Sequence, residues 1–214
     1  MGRQITALKA QKRNKGRVSV YLDGEYAFGL SRIVAAWLHV GQELGDDKIS
    51  DLESEDALEV AYQSAIRLIG FRMRTSKEIQ EFLKRKDIAE PVILKVLERL
   101  RQSNLVDDLT FSRSWVENRT DFRPRGRRML AMELRHKGIP EQTIQEALEE
   151  TGSEEDLAYR AAEKYARKLN GLDKAAFRLK LGGFLARRGF TYETARQVIE
   201  SIWLERSQDN EKRI

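Results

Sequence analysis

Cysteine is absent from the 214 residues. That excludes a disulfide scaffold, a thiol nucleophile and a thiolate metal site, and it suits a reducing compartment. Histidine is scarce. His39 and His136 stand 97 positions apart and cannot build a histidine-rich metal cluster. Only 3 prolines interrupt the chain, so helices meet few breakers. No run approaches the ~20 apolar residues that span a bilayer. The stretch Met1–Ala10 has no apolar segment of the secretory kind. Neither a GxxxxGKS/T loop nor a GxGxxG turn occurs, so two common phosphate cradles are missing. These absences call for no cofactor, no metal and no membrane. They predict a cytoplasmic, monomeric binding protein without catalytic residues.

What is present is charge and helix-forming composition. Charged residues make up 34% and hydrophobic residues 41%, enough for modest cores in a soluble chain. The net charge of +5 suggests an anionic partner without naming one.

The first 50 residues differ from the rest. Val18, Val20 and Leu22 alternate with polar residues, Asp23-Gly24 follows, and Tyr26, Phe28 and Leu30 alternate again. Two period-two runs around Asp-Gly predict a β-hairpin, because the turn needs positive φ. An earlier strand over Gln4–Ala10 can pair with it. A basic link carrying Lys12, Arg13 and Lys15 lies between, and a short helix over Ser31–Leu38 follows.

From Asp51 the apolar spacing becomes helical, and the sequence repeats. Leu83–Ile88 recurs as Leu134–Ile139 and again as Leu185–Phe190, at an offset of 51 both times. Ile79, Leu130 and Leu181 share the register, as do Val96, Ala147 and Val198. These positions form one apolar stripe per helix. Each copy reads as three helices: Glu53–Gly70, Ser76–Lys86 and Glu90–Gln102; then Leu109–Arg119, Arg125–Lys137 and Pro140–Glu150; then Glu154–Leu169, Asp173–Arg188 and Tyr192–Arg206. The predicted architecture is mainly α. It is an elongated, curved array of three tandem three-helix repeats (51–106, 107–152 and 153–207) behind a β-hairpin segment (1–50), ending in a polar tail (208–214). Trp115, Tyr165, Phe184, Phe190 and Trp203 are the expected core anchors. Gly182-Gly183 falls inside a helix and reads as a close-packing site.

The charge is uneven. Residues 1–50 carry +3, 51–108 carry −2, 109–152 carry +1 and 153–214 carry +3. The densest cluster is Arg119, Arg123, Arg125, Arg127 and Arg128, read as a loop opening the middle helix of the second repeat. Arginine grips phosphate in a bidentate fork, and a helix start adds free N–H donors. Four arginines also oppose that helix's own dipole, which marks the cluster as a binding candidate. Pairing with acids of flanking helices is the structural alternative. A second feature is a basic helix tip on each repeat: Lys84, Arg85 and Lys86; Arg135 and Lys137; Arg187 and Arg188. The helix dipole alone favours cations there, yet a spaced row also suits a polymeric ligand.

Several stretches resemble the RecX regulatory proteins. They are Arg72, Arg74, Ser76 and Glu78 at a helix start, Val106-Asp107-Asp108 with Phe111, Gly126 through Gly138-Ile139, and Phe184-Leu185 with Arg188-Gly189-Phe190. The resemblance covers about Ala57–Ile202. The first copy departs from the later ones in having Asp87 where they have glycine, and the third has Ala176 and Arg178 in place of the Arg/Ser pair. The resemblance implies three tandem three-helix repeats and no enzyme activity. It implies binding to the RecA recombinase filament on single-stranded DNA. ATP hydrolysis, strand exchange and the coprotease activity of the SOS response would be restrained, and single- or double-stranded DNA could be bound directly. The residues themselves leave two alternatives: a stand-alone DNA-binding protein, or a helical scaffold for an acidic protein.

Overall fold

The computed structural model describes residues 2–211. Two compact units divide it, one ending at Val106 and one starting at Asp107.

The first unit opens with a four-stranded antiparallel sheet in the order β3-β2-β1-β4. Its strands are β1 (Arg3–Ala10), β2 (Arg17–Leu22), β3 (Glu25–Ser31) and β4 (Glu43–Leu44). Asp23 and Gly24 both take positive φ, 49° and 91°, as the Asp-Gly signal requires. β4 was not anticipated, because two residues carry no periodicity; it pairs Arg3 with Leu44 and Gln4 with Glu43. A short helix α1 (Arg32–Ala35) follows β3. The sheet buries Ile5, Val20, Leu22, Phe28 and Leu30 on one face. Each such side chain contributes roughly 1.5–3 kcal/mol over the exposed state.

Helix α2 (Asp46–Ile69) starts seven residues before the expected Glu53 and runs for 24 residues. Its early residues Ile49 and Leu52 complete the sheet's core, and Ala61, Tyr62 and Ala65 enter the next one. One helix therefore serves two cores. Buried Asp56 ties the sheet to it, accepting from Arg17 Nη2 at 2.8 Å and from the backbone N–H of Ser31. With α3 (Ser76–Lys84) and α4 (Glu90–Gln102), α2 encloses Ile79, Leu83, Ile93, Val96 and Leu100.

The second unit holds two further trios, α5 (Asp108–Phe122), α6 (Arg127–His136) and α7 (Glu141–Glu149), then α8 (Glu154–Ala166), α9 (Lys174–Arg187) and α10 (Tyr192–Glu211). A 3-10 turn, Arg167–Leu169, extends α8. The α5–α7 core gathers Phe111, Val116, Leu130, Leu134 and Ile144. The α8–α10 core gathers Leu157, Phe177, Leu181, Leu185 and Ile199. Phe190 is buried, whereas Trp115, Tyr165, Phe184 and Trp203 are half-covered at core edges. The expected tail begins as helix, since Gln208 lies within α10; residues 212–214 lie outside the described residues.

The 51-residue period has one backbone cause. Asp87, Gly138 and Gly189 take positive φ of 57°, 77° and 85°. Each following residue returns its N–H across the helix end: Ile88 to Leu83 O, Ile139 to Leu134 O and Phe190 to Leu185 O. This closing loop satisfies carbonyls that the helix leaves unpaired. Asp87 shows that the first repeat keeps the geometry without glycine. Gly182 and Gly183 do not serve close packing. A Cβ on Gly182 would meet only Ile199 Cδ1 at 3.7 Å, and one on Gly183 only Arg187 Nη1 at 3.4 Å. Two interior glycines cost α9 about 1 kcal/mol each relative to alanine, and no neighbour within the chain requires them.

Candidate functional site

The arginine cluster does not form one loop. Arg119 lies on α5, Arg127 and Arg128 form the first turn of α6, and only Arg123–Gly126 connect the two helices. Helix α5 continues past Arg119 to Phe122, further than the sequence pattern showed.

One carboxylate holds two of the five arginines. Glu133, on α6, accepts from Arg119 Nε at 2.9 Å and from Trp115 Nε1 at 2.8 Å. Its other oxygen accepts from Arg125. Arg119 also stacks over the Trp115 ring, 4.4 Å from the centroid, and Lys137 approaches that ring at 5.3 Å. Arg119 and Arg125 are thus structural as well as cationic. Glu133 escaped sequence reasoning because it lies 8 and 14 positions from the arginines it holds.

Arg127 is an anchor. Its guanidinium donates to the Thr151 and Gly152 carbonyls, both at 3.1 Å, just past the end of α7. Its backbone N–H donates to Glu154 Oε2 at 3.1 Å. The α6 start has no acidic residue of its own in the first turn. Glu154, borrowed from the start of α8, supplies the carboxylate that the dipole favours there.

The side chains of Arg123 and Arg128 are exposed and make no hydrogen bond or ion pair among the described residues. Arg188 comes to the same place from the third repeat, donating to the Pro124 carbonyl at 3.0 Å and lying over the Phe184 ring. Burial first, then the positive charges of Arg125 and Arg123, pull the Arg188 pKa below the usual guanidinium value. Like charges are therefore crowded at this point, an arrangement that a bound anion relieves.

The helix tips divide likewise. Lys84 pairs with Glu90 at 2.9 Å, and Arg135 grips Glu141 with two bonds of 2.7 and 2.8 Å. These pairs are repeat-equivalent, 51 positions apart. Lys86 lies over the Phe82 ring. Arg85 and Arg187 are exposed, as are Lys12, Arg13 and Lys15 between β1 and β2. Lys12, Arg13, Lys15 and the first tip belong to the unit ending at Val106.

Arg135, with help from Gln145, holds the Glu141 carboxyl down at about 2. A depressed carboxyl contributes stability above its unfolded pKa and loses it as pH falls through the folded value. Glu141 therefore stays ionised at pH 3, and Arg135→Gln returns its titration toward 4.5. Carboxyl NMR across pH 2–6 reads both results; an unmoved Glu141 in the variant would contradict the pairing.

Comparison with known proteins bears on this geometry. Four family models match in order: "Regulatory protein RecX N-terminal domain" at residues 3–45, and the first, second and third RecX three-helix domains at 61–100, 107–148 and 153–199. Regulatory protein RecX of Bacillus subtilis is 31% identical over 97% of this chain and 80% of its own length. The chain belongs to the RecX family. Regulatory protein RecX of Levilactobacillus brevis is 34% identical over 97% of this chain and 79% of its own. A crystal structure titled regulatory protein RecX superposes with a TM-score of 0.76 at 29% identity, covering 92% of this chain and 99% of that one. RecX from Lactobacillus salivarius, at 23% identity and a TM-score of 0.64 over 70% of this chain and 99% of its own, shares the fold. The RecX fold is mostly helical, with three three-helix domains in tandem behind a small strand segment. RecX relatives are named as regulatory proteins. No helix among the described residues is long and apolar enough to cross a membrane.

Proposed function

We propose that this protein binds the RecA filament on single-stranded DNA and restrains its ATP hydrolysis, strand exchange and coprotease activity. It acts as a cytoplasmic, monomeric binding regulator and not as an enzyme. Membership in the RecX family supports the partner. The observation that carries the contact is the crowding of Arg123, Arg125 and Arg188 around the loop before α6, with the exposed Arg128 side chain unpaired in the first turn of that helix. Guanidinium groups held together against their own repulsion suit a row of phosphates or carboxylates.

The test is RecA-dependent ATP hydrolysis on single-stranded DNA with this protein added. Hydrolysis should fall at stoichiometric levels; unchanged hydrolysis would overturn the reading. The double variant Arg123→Ala/Arg128→Ala should bind filaments about tenfold more weakly, with its helical spectrum intact, because two unpaired guanidinium donors are lost. Arg127→Ala should instead lower the unfolding midpoint. Equal filament binding by the double variant would assign the contact elsewhere.

The two unpaired arginines also favour direct DNA binding. On that reading, naked DNA alone binds tightly, and affinity falls by about 0.7 log units per phosphate contact for each log unit of salt.

A further inference from the structure

The third repeat has a cleft between α9 and α10 of about 620 Å³, whose lining includes Leu179, Gly182, Ala186, Tyr192 and Ile199. The second repeat has its counterpart at the same register, only about 260 Å³, with Arg128, Ala131, Arg135 and Leu148 in its lining. Shifted by 51 positions, Arg128 becomes Leu179, Ala131 becomes Gly182 and Arg135 becomes Ala186. The Arg135–Glu141 pair becomes Ala186 and Tyr192, so no ion pair stands there. A narrow cleft spanned by an ion pair has become a wide one without it, with Arg178 and Arg196 on its walls.

Three observations say what enters it. Leu179 and Tyr192 are 78% and 80% exposed, large apolar surfaces left without cover. Gly182 and Gly183 keep the α9 backbone bare although no neighbour in the chain needs the space. Arg178 and Arg196 stand one on each wall, and their side chains make no hydrogen bond or ion pair among the described residues. They reach Glu200 only through space, and Lys174 already binds that carboxylate. The Thr191 hydroxyl is committed to Thr194. The cleft therefore offers apolar area and two flanking cations, but few groups to read a base edge.

We infer that this cleft receives an acidic segment of the recombinase protein, which inserts a bulky apolar side chain between α9 and α10 and sets carboxylates against Arg178 and Arg196. The inference rests on the filament reading above and assigns this contact to protein, not to the DNA strand.

A chain without cysteine makes the test direct. Leu179→Cys places a single thiol at the cleft, and its alkylation is followed by mass spectrometry of this chain alone. Three samples are compared: the protein by itself, with single-stranded DNA, and with RecA filaments on that DNA. Filament binding is measured by co-sedimentation in parallel. Filaments should slow alkylation about tenfold or more, and DNA alone should leave it nearly unchanged, because a seated partner excludes the reagent. Binding without protection would overturn the cleft assignment and leave the filament reading standing. Equal protection by DNA alone would make the occupant nucleic acid and overturn the protein assignment. Failure of the wild-type chain to bind filaments would overturn the filament reading itself. Gly183→Leu gives a second measure. It fills the cleft while relieving a helix glycine, so thermal stability should hold or rise as filament affinity falls about tenfold. A stable variant with unchanged affinity would count against the inference.

Discussion

Gly126→Ala should lower the stability of the unit that starts at Asp107 by about 3 kcal/mol, at the upper end of typical overpacking costs. The reason is a close approach of two backbones. A Cβ on Gly126 would lie 2.5 Å from the Gly189 carbonyl oxygen and 2.7 Å from Glu154 Oε1. The Gly126 N–H already donates to the Arg188 carbonyl at 2.9 Å, which fixes the second and third repeats together at this point. The opposing effect is smaller. Gly126 sits at φ −64°, where alanine is unstrained, and the substitution should otherwise add about 0.4–1 kcal/mol by restricting the unfolded chain. The clash wins because its partner is backbone and not the end of a flexible side chain. Urea unfolding followed by tryptophan fluorescence measures the change. Gly152→Ala is the control: its Cβ would meet only Asp156 Oδ2 at 3.9 Å, so it should match wild type or gain up to about 1 kcal/mol from the restricted unfolded chain. Equal midpoints for Gly126→Ala and wild type would show that the two repeats separate easily here.

The same glycine shows where a sequence is readable and where it is not. The repeat was legible because each middle helix ends in one backbone shape, and Leu83, Leu134 and Leu185 accept the closing bond. Periodic apolar residues and a left-handed terminator are local features, and local features are written locally. The hairpin was legible for the same reason. The cost of the Arg cluster to α6 was also visible, and pairing with nearby acids was the alternative reading; which acids pair was not visible. Glu154 caps α6 from 27 residues away, and Glu133 reaches back across a loop to α5. Such partners depend on how helices pack, which spacing alone does not encode. α2 was read too short because its first turns serve the sheet and break the repeat's pattern. Gly182-Gly183 was noticed but assigned to packing, a reading that needed the positions of its neighbours to correct.

Glu133→Gln should separate the structural and electrostatic roles of the arginine cluster, because it pushes stability and anion binding in opposite directions. The carboxylate is only 13% exposed and holds Arg119 and Arg125, which are 25% and 32% exposed. Breaking a fully buried pair costs about 3–5 kcal/mol. Water reaches both guanidiniums here, so a loss of about 2 kcal/mol is expected, near the range for hydrogen bonds to charged groups. Trp115 keeps an acceptor in the amide oxygen, so its indole N–H need not be stranded. The electrostatic effect runs the other way. Removing the one negative charge held against Arg119 and Arg125 raises the local potential and frees these two arginines for phosphate. Affinity for single-stranded DNA should rise, and two further phosphate contacts would steepen its dependence on salt by about 1.4 log units per log unit. Denaturant unfolding and binding titrations from 50 to 200 mM salt report the two effects on one variant. Lower stability with unaltered salt dependence would make Glu133 a structural tie alone, with Arg119 and Arg125 outside the anion contact. Lower stability with a steeper slope would put Arg119 and Arg125 in the anion contact, with Glu133 holding both in check.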